Sequence, residues 1–266
     1  MPILHLILVA VVQGITEFLP ISSSGHLVLL PNLTGLEDQG LLIDVAVHVG
    51  TLGAVILYFW SDVRRAALGV PKVLRRQVDD QNAWLALCLI VATIPVVIAG
   101  LLLKISGFDE ALRSVAIVGW ATLIFGLVLY WADRAPTKKL SSEWSLKDAG
   151  LMGLAQVLAL IPGTSRSGIT ITAARKLGYA REDAARLAML MSIPTILASG
   201  ALLGFEALFA MDAAAARDAG IAAVFAFLAA FAALALMMRL LRSVSFTPYV
   251  IYRVGLGLIL LWIAYT

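Results

Sequence analysis

The sequence predicts an all-α polytopic membrane protein built as an inverted repeat, in which each half is a re-entrant helical hairpin followed by three transmembrane helices. The first observation is composition: 61% of the 266 residues are hydrophobic and 14% are charged, whereas a soluble domain is about half apolar and about a quarter charged. The second is a set of six long apolar stretches. The third is a pair of shorter apolar stretches, each followed by a hydroxyl-rich turn. We therefore expect a single integral membrane domain over residues 1–266.

The six long stretches are each close to the roughly 20 apolar residues that a transmembrane helix needs. Tryptophan and tyrosine side chains lie near several of their ends, as is typical of the membrane interface. The predicted spans cover residues 41–60, 83–103, 115–131, 187–208, 220–238 and 248–265.

The two shorter stretches, residues 2–12 and 151–161, cover about half a bilayer at about 1.5 Å per residue. The first stretch stops at Gln13 and the second at Pro162, and each then runs into a hydroxyl-rich segment with Gly and Pro. Irregular backbone is tolerated at membrane depth only where protein buries it or water lines it. These stretches therefore predict two hairpins that enter the membrane and return.

The two turns resemble each other in sequence, which indicates an internal duplication. FLPISSSGHLVLLPNLTGL covers residues 18–36, and LIPGTSRSGITITAARKLGY covers residues 160–179. The alignment pairs Pro20 with Pro162 and Ser22-Ser23 with Thr164-Ser165. It puts the one extra residue of the second copy at Arg166. Three spans follow each copy, and this odd number makes the repeats, about 1–132 and 149–266, point in opposite directions.

Loop charges predict the orientation. On one side the loops and termini carry three basic residues, Lys104, Arg113 and Arg217, whereas the loops on the other side carry fifteen of the 20 Lys and Arg residues. Basic loops are typically cytoplasmic, so both termini are expected outside the cytoplasm. The basic stretch 64–76 is interpreted as orienting loop charge. The net charge of +3 predicts no nucleic-acid partner.

Two arginines lie outside the predicted loops. Arg166 is at the tip of the second hairpin, where a buried cation is costly and usually functional. Its anion is expected to be either Glu17 or a bound phosphate. Arg253, near the start of the last span, is interpreted as structural or as reaching the membrane interface.

The first turn brings together groups that fit phosphate chemistry. Gln13 and Glu17 share one helix face, and Pro20 predicts that this helix ends at Leu19. A helix starting after the serines presents free N–H groups to an anion, and the second turn repeats this arrangement and adds Arg166. Because Glu17 would repel a phosphate, a divalent cation, Mg²⁺ or Ca²⁺, is expected between them.

Ser23 and His26 predict a catalytic step, since a hydroxyl near an imidazole is the minimum for an activated nucleophile. Alternatively, the imidazole attacks phosphorus itself or protonates the leaving group. Glu17, His26 and Arg166 are also compatible with a purely structural ion network. His48 lies inside a predicted span and either lines the same cavity or packs between helices. Several hydroxyls have the simpler interpretation of capping or bonding to their own helix backbone: those of Ser22, Ser24, Thr170 and Thr172.

QGITEFLPISSSGH (13–26), PGTSRSG (162–168) and FTPYVIYR (246–253) resemble the undecaprenyl-diphosphate phosphatase family of bacterial membranes, the bacitracin-resistance type. The resemblance covers essentially the whole chain. It implies a hydrolase of the bacterial cytoplasmic (inner) membrane that depends on a divalent cation. Such an enzyme converts the polyprenyl diphosphate that carries cell-wall precursors into the monophosphate and inorganic phosphate.

The resemblance also implies residue roles. The catalytic residues are Glu17, Ser23, His26 and Arg166. The resemblance makes Ser165 and Ser167, with Arg166, the diphosphate-binding turn. From the residues themselves we further expect substrate-binding roles for Ser22, Ser24, Thr164, Thr170 and His48. The metal ligands are Glu17 and Gln13. The family motif has Glu or Gln at the position of Gln13, so a second carboxylate ligand is not expected there.

A transporter is the alternative. Inverted repeats with broken helices that meet near the midplane are typical of secondary transporters, so the same site would suit the flipping of a polyprenyl phosphate lipid. The pairing of Ser23 with His26 favours an enzyme, because binding alone would not require it. The expected partners are the lipid substrate and membrane lipids, and the sequence leaves open whether the chain forms a homodimer.

Overall fold

The computed structural model describes residues 2–34, 40–112, 114–209 and 213–266. Within these ranges the chain forms helices and no β-strand, and one isolated β-bridge joins Lys139 to Tyr179. The α-helices are α1 (Ile3–Phe18), α2 (Ser23–Thr34), α3 (Gly40–Tyr58), α4 (Trp60–Leu74), α5 (Gln81–Ser106), α6 (Phe108–Ala111), α7 (Val115–Asp133), α8 (Leu146–Val157), α9 (Arg166–Lys176), α10 (Arg181–Phe209), α11 (Ala213–Leu240) and α12 (Thr247–Tyr265). Two short 3₁₀ helices cover Ser141–Glu143 and Leu158–Leu160.

Six of the described helices are long and apolar enough to cross a bilayer, which confirms the prediction of a polytopic helical membrane protein. They are α3, α5, α7, α10 up to Ala201, α11 and α12. Two spans begin clearly earlier than predicted: α11 begins at Ala213 rather than at residue 220, and α10 begins at Arg181 rather than at residue 187. Its first turn carries Glu182 and Asp183, which favour a helix N-terminus electrostatically but do not count as apolar in a span prediction.

The helices before the two turns are short. Helix α1 has 16 residues and ends at Phe18, because Leu19 is extended before Pro20. Helix α8 has 12 residues, is capped by Ser145 Oγ, which accepts from the backbone N–H of Asp148 at 3.1 Å, and tightens into 3₁₀ geometry before Pro162. At about 1.5 Å per residue these helices measure about 24 and 18 Å. Both are shorter than the roughly 30 Å hydrocarbon core.

The interpretation of residues 64–76 as loop is wrong for most of the segment, because α4 covers Trp60–Leu74. This helix is amphipathic rather than uniformly apolar, so a search for spans does not find it. Gly69 lets it approach α5 closely, since a Cβ there would lie 2.1 Å from the Asn82 carbonyl oxygen. Lys72 then binds Asp80, the N-cap of α5, at 2.8 Å.

The short helices are held by close packing against long ones. Helix α1 packs on α3 and α11, and α8 packs on α5. A Cβ on Gly14 would lie 2.6 Å from the Ala226 carbonyl oxygen, and one on Gly153 would lie 2.5 Å from that of Ala92. Small residues permit such backbone contacts between helices in lipid. The turns that follow α1 and α8 are thereby fixed inside the helical bundle.

The base of α9 is fixed by a buried ionic cluster. Arg175 is one of the fifteen residues that the sequence prediction counts as basic loop charges, but it is 2% exposed and lies on α9, so that assignment is wrong. Its guanidinium donates to the carbonyls of Asp133 (2.9 Å), Ala135 (2.7 Å) and Tyr179. The Asp133 carboxylate also accepts from Arg181 at 2.7 Å. Buried charges are tolerated when they are paired and hydrogen-bonded in this way.

Candidate active site

The first turn (residues 19–22) and the second turn (residues 161–165) have matching backbones. Each ends in a serine with a left-handed backbone, Ser22 with φ 73° and Ser165 with φ 68°. A helix starts at the next residue in both cases. Each of these serines hydrogen-bonds to the serine two residues later. The Oγ–Oγ distance is 3.1 Å for Ser22–Ser24 and 3.1 Å for Ser165–Ser167.

This geometry corrects the pairing predicted from the sequence. Ser22 corresponds to Ser165, not to Thr164, and Ser23 corresponds to Arg166. The extra residue of the second copy therefore lies within its turn and not at Arg166. Aligning Ser22-Ser23 with Thr164-Ser165 by residue type gave the wrong register, because the backbone conformation and not the residue type determines where the helix begins.

The two turns contact each other directly. The Gly163 backbone N–H donates to Ser24 Oγ at 3.0 Å. In the opposite direction, Ser167 Oγ donates to the Leu19 carbonyl at 3.0 Å. These reciprocal bonds bring the start of α2 beside the start of α9.

Arg253 of α12 hydrogen-bonds to the backbone of both turns. Its Nη1 donates to the Pro20 carbonyl at 3.3 Å, and its Nη2 donates to the Gly163 carbonyl at 3.0 Å. Its Nε donates to Thr122 at 3.1 Å. The side chain is 0% exposed, so the structural interpretation is confirmed and the interfacial one is wrong. Among the described residues its hydrogen-bond partners are backbone carbonyls, which satisfy the guanidinium without a carboxylate.

Glu17 and Arg166 meet where the turns join. Arg166 Nη2 donates to Glu17 Oε1 at 2.5 Å, so the carboxylate supplies the anion for this buried cation. Arg166 Nη1 also donates to the Ser192 carbonyl at 3.3 Å. The other carboxylate oxygen, Oε2, accepts from Gln13 at 2.7 Å and from Ser23 Oγ at 3.3 Å.

Gln13 and His48 complete the surroundings of Glu17. His48 Nδ1 lies 2.7 Å from the Asp44 carbonyl, so in the neutral ring Nε2 is an acceptor. Gln13 Nε2 lies 3.3 Å from that Nε2 atom, and His48 Nε2 lies 3.9 Å from Glu17 Oε2. The Gln13 amide is thus oriented by two acceptors. Its Oε1 is buried and, within the described part of the chain, has no hydrogen-bond partner.

His26 lies on the first turn of α2, where its ring contacts Ser22 and Tyr252 rather than Ser23. Its Nδ1 donates to the Ser22 carbonyl at 2.7 Å, and its Nε2 lies 2.7 Å from Tyr252 Oη. The two rings stack, with centroids 5.5 Å apart and planes 7° apart. Sequence reasoning did not single out Tyr252. The available signal was the Tyr252-Arg253 pair, which interrupts an otherwise apolar span.

The remaining predicted hydroxyls divide into two groups. Thr170 and Thr172 donate to backbone carbonyls of α9, at 2.8 Å to Arg166 and 2.7 Å to Gly168, as the simpler interpretation expects. Ser165 instead caps α9 by accepting from the Gly168 N–H at 3.2 Å. Thr164 Oγ1 is buried and has no hydrogen-bond partner among the described residues.

The fold and the site define a helical membrane protein with a partly buried acid–arginine pair at the junction of two helix N-termini. The family model described as bacitracin resistance protein BacA matches residues 6–259. The chain therefore belongs to the BacA family.

Similar proteins extend over the full chain. An undecaprenyl-diphosphatase of Roseobacter denitrificans is 69% identical over 267 residues, which cover 100% of both chains. One from Ruegeria sp. is 66% identical, again over 100% of both. A more distant one, from Chromohalobacter salexigens, is 44% identical and covers 98% of this chain and 99% of its own length.

Proposed function

We propose that this chain is an undecaprenyl-diphosphatase, which hydrolyses undecaprenyl diphosphate to undecaprenyl phosphate and inorganic phosphate. Its relatives at 64–69% identity over the full length have this name. The observation that carries the proposal is the contact of Arg166 with Glu17 beside Ser23 and two helix N-termini. This arrangement suits an anionic head group whose lipid tail stays in the bilayer. Removing the terminal phosphate would recycle the lipid carrier of cell-wall synthesis.

The diphosphate binds by replacing Glu17 as the partner of Arg166. A guanidinium fits two phosphate oxygens at once, and the N-termini of α2 and α9 add N–H donors. We assign the hydroxyls of Ser22, Ser24, Thr164, Ser165, Ser167 and Thr170, together with His48, to the surroundings of the bound diphosphate. Substrate binding therefore releases the Glu17 carboxylate from its ion pair.

A divalent cation fits the residues beside the released carboxylate. The unpartnered Gln13 Oε1 and the Glu17 carboxylate are hard oxygen ligands one helical turn apart. Mg²⁺ typically binds one or two carboxylates and completes its coordination with phosphate oxygens and water. Bound there, Mg²⁺ or Ca²⁺ would neutralise charge between Glu17 and the diphosphate.

Ser23 is the nucleophile that the geometry favours. Its hydroxyl donates to Glu17 at 3.3 Å, which orients Oγ at the start of α2 and provides a carboxylate for its proton. His26 has no contact of this kind with Ser23, because its two ring nitrogens are engaged by Ser22 and Tyr252. His26 is therefore assigned to proton transfer rather than to attack on phosphorus.

The inverted repeat has support from packing. In the proposed repeat, α8 of the second half corresponds to α1 of the first, and α5 of the first half corresponds to α11 of the second. The contact of α1 with α11 then has its counterpart in the contact of α8 with α5, and both contacts are present.

The charge asymmetry of the loops supports an inner-membrane protein with both termini periplasmic. A reporter active only in the cytoplasm, fused after Thr266, should be silent. A strong signal would overturn this orientation.

The test of the function is phosphate release. Purified protein given undecaprenyl diphosphate should produce inorganic phosphate, and a chelator should stop the reaction until Mg²⁺ or Ca²⁺ is restored. The transporter alternative predicts movement of a labelled polyprenyl phosphate across vesicles without phosphate release. That result would overturn the proposal.

A further inference from the structure

Tyr252 is placed to act in the reaction, and the reason lies in the state of His26. The Ser22 carbonyl can only accept a hydrogen bond, so Nδ1 of His26 carries the proton at this 2.7 Å contact. In the neutral ring Nε2 is then the basic nitrogen. The tyrosine hydroxyl donates to it at 2.7 Å.

Neither ring nitrogen of His26 is therefore free to meet a substrate or a water molecule directly. Tyr252 Oη occupies the hydrogen-bonding position of His26 Nε2 at 2.7 Å. Tyr252 is 48% exposed, whereas the side chains of Arg166 and Glu17 are 17% and 7% exposed. The oxygen keeps lone pairs that can accept another hydrogen bond. In this arrangement the Tyr252 hydroxyl is the group placed to pass a proton to or from His26 Nε2.

We propose that Tyr252 is a catalytic residue that relays a proton between the hydrolytic water and His26, an inference that rests on the proposed phosphatase function. As the water oxygen bonds to phosphorus, one water proton moves to Tyr252 Oη, while the Tyr252 hydroxyl proton moves to His26 Nε2. The bond from phosphorus to its leaving oxygen breaks, and the electron pair stays on that oxygen. The same relay in reverse returns the proton to a product phosphate oxygen.

The relay applies whether water attacks the diphosphate directly or attacks a phosphoserine formed at Ser23, because one water proton must leave in either case. The Tyr252 ring stacks on His26 and can position it, whereas only the Tyr252 hydroxyl can transfer a proton. These two parts can be separated by substitution. A structural role requires only the ring, and a relay requires the oxygen.

The experiment compares Tyr252→Phe with Tyr252→Ala, and uses Tyr249→Phe as the matched control. Tyr249 lies about one turn earlier on the same helix and packs its ring near Phe246. General acid–base catalysis contributes about 10²–10⁴-fold, so Tyr252→Phe should lower kcat by about 100-fold or more with little change in KM. Tyr249→Phe should remain near the wild-type rate. Tyr252→Phe at the control rate beside an impaired Tyr252→Ala would mean that the ring only supports His26, and would overturn the relay.

A double-mutant cycle supplies the second test, because groups in one relay are not additive. His26→Ala should lose about as much activity as Tyr252→Phe, and the combination should lose no more than either. Full multiplication of the two losses would overturn the inference. Absence of phosphate release by the wild-type protein would instead overturn the phosphatase function itself, so the two failures are distinguishable.

A spectroscopic measurement addresses the hydrogen bond without activity. The chain has three histidines, so ¹⁵N-histidine NMR of the full protein in detergent can be assigned with His26→Ala. His26 should show a protonated Nδ1 and a hydrogen-bonded Nε2, and Tyr252→Phe should shift the Nε2 resonance. An Nε2 resonance unchanged by Tyr252→Phe would overturn the assignment.

Discussion

The first and second turns share a backbone but carry different chemistry. Both end in a left-handed serine and both pair that serine with another two residues later. At the first position of the following helix, however, one has Ser23 and the other has Arg166. The two turns therefore share a backbone conformation, whereas the residues proposed to react are divided between them. The proposed phosphatase site needs both turns, because Ser23 follows the first turn and Arg166 follows the second.

The largest effect is expected at Arg166. Arginine that stabilises charge in phosphoryl transfer contributes about 10³-fold or more in rate, so Arg166→Ala should lose nearly all activity. Arg166→Lys should lose most of it, because an ammonium keeps the charge without the two-point geometry. Steady-state kinetics should show kcat falling more than substrate affinity.

A purely structural ion pair predicts a different outcome for Arg166. In that case Arg166→Ala would unfold in detergent, and a second change, Glu17→Gln, would restore folding by removing the uncompensated carboxylate. Thermal denaturation of the two single variants and of the double variant measures this. Rescue of stability by the second change would contradict a catalytic role.

The next effect concerns the acidic side of the comparison. Glu17→Gln should abolish turnover in protein that remains folded, because the cation then has only amide oxygens and the substrate. Gln13→Ala should be milder, since an amide oxygen is a weaker ligand than a carboxylate for a hard cation. Turnover measured against Mg²⁺ concentration distinguishes the Glu17→Gln variant from the Gln13→Ala variant. Near-normal turnover of Glu17→Gln at low Mg²⁺ concentration would show that Glu17 is not the main metal ligand.

The smallest effect compares corresponding glycines, Gly25 on α2 and Gly168 on α9. A Cβ on Gly168 would lie 2.8 Å from Arg253 Nη1, whereas one on Gly25 would lie 3.4 Å from the end of the Leu256 side chain. Gly168→Ala should therefore lower the free energy of unfolding by about 1–3 kcal/mol. Gly25→Ala should be neutral or slightly stabilising, because alanine favours a helix by up to about 1 kcal/mol. An equal loss of stability for Gly168→Ala and Gly25→Ala in thermal denaturation would show that the packing around the two glycines is equally tight.

Local sequence rules predicted much of this molecule. Apolar length gave the spans, and Pro20 gave the end of α1. The buried arginine and the two hydroxyl-rich turns identified Glu17 and Arg166 as possible partners. These features depend on residues that are close in sequence, or on the cost of charge in lipid.

The rest depends on distant contacts. Tyr252 meets His26 across 226 residues, and no local pattern states which hydroxyl a histidine will bind. The burial of Arg253 depends on three carbonyls from separate segments. The register of the second turn was misjudged by one residue because positive backbone φ at serine is not visible in the letters.

The contact of Gly14 with Ala226 also affects how the protein is made. The ribosome synthesises α11 about 200 residues after α1, which at about 5–20 residues per second is a delay of about 10–40 s. During that interval α1 is too short to cross the membrane and lacks the surface on which it packs. Helix α1 therefore gains this packing surface only after α11 has been synthesised, so the junction of the two turns forms late in biogenesis.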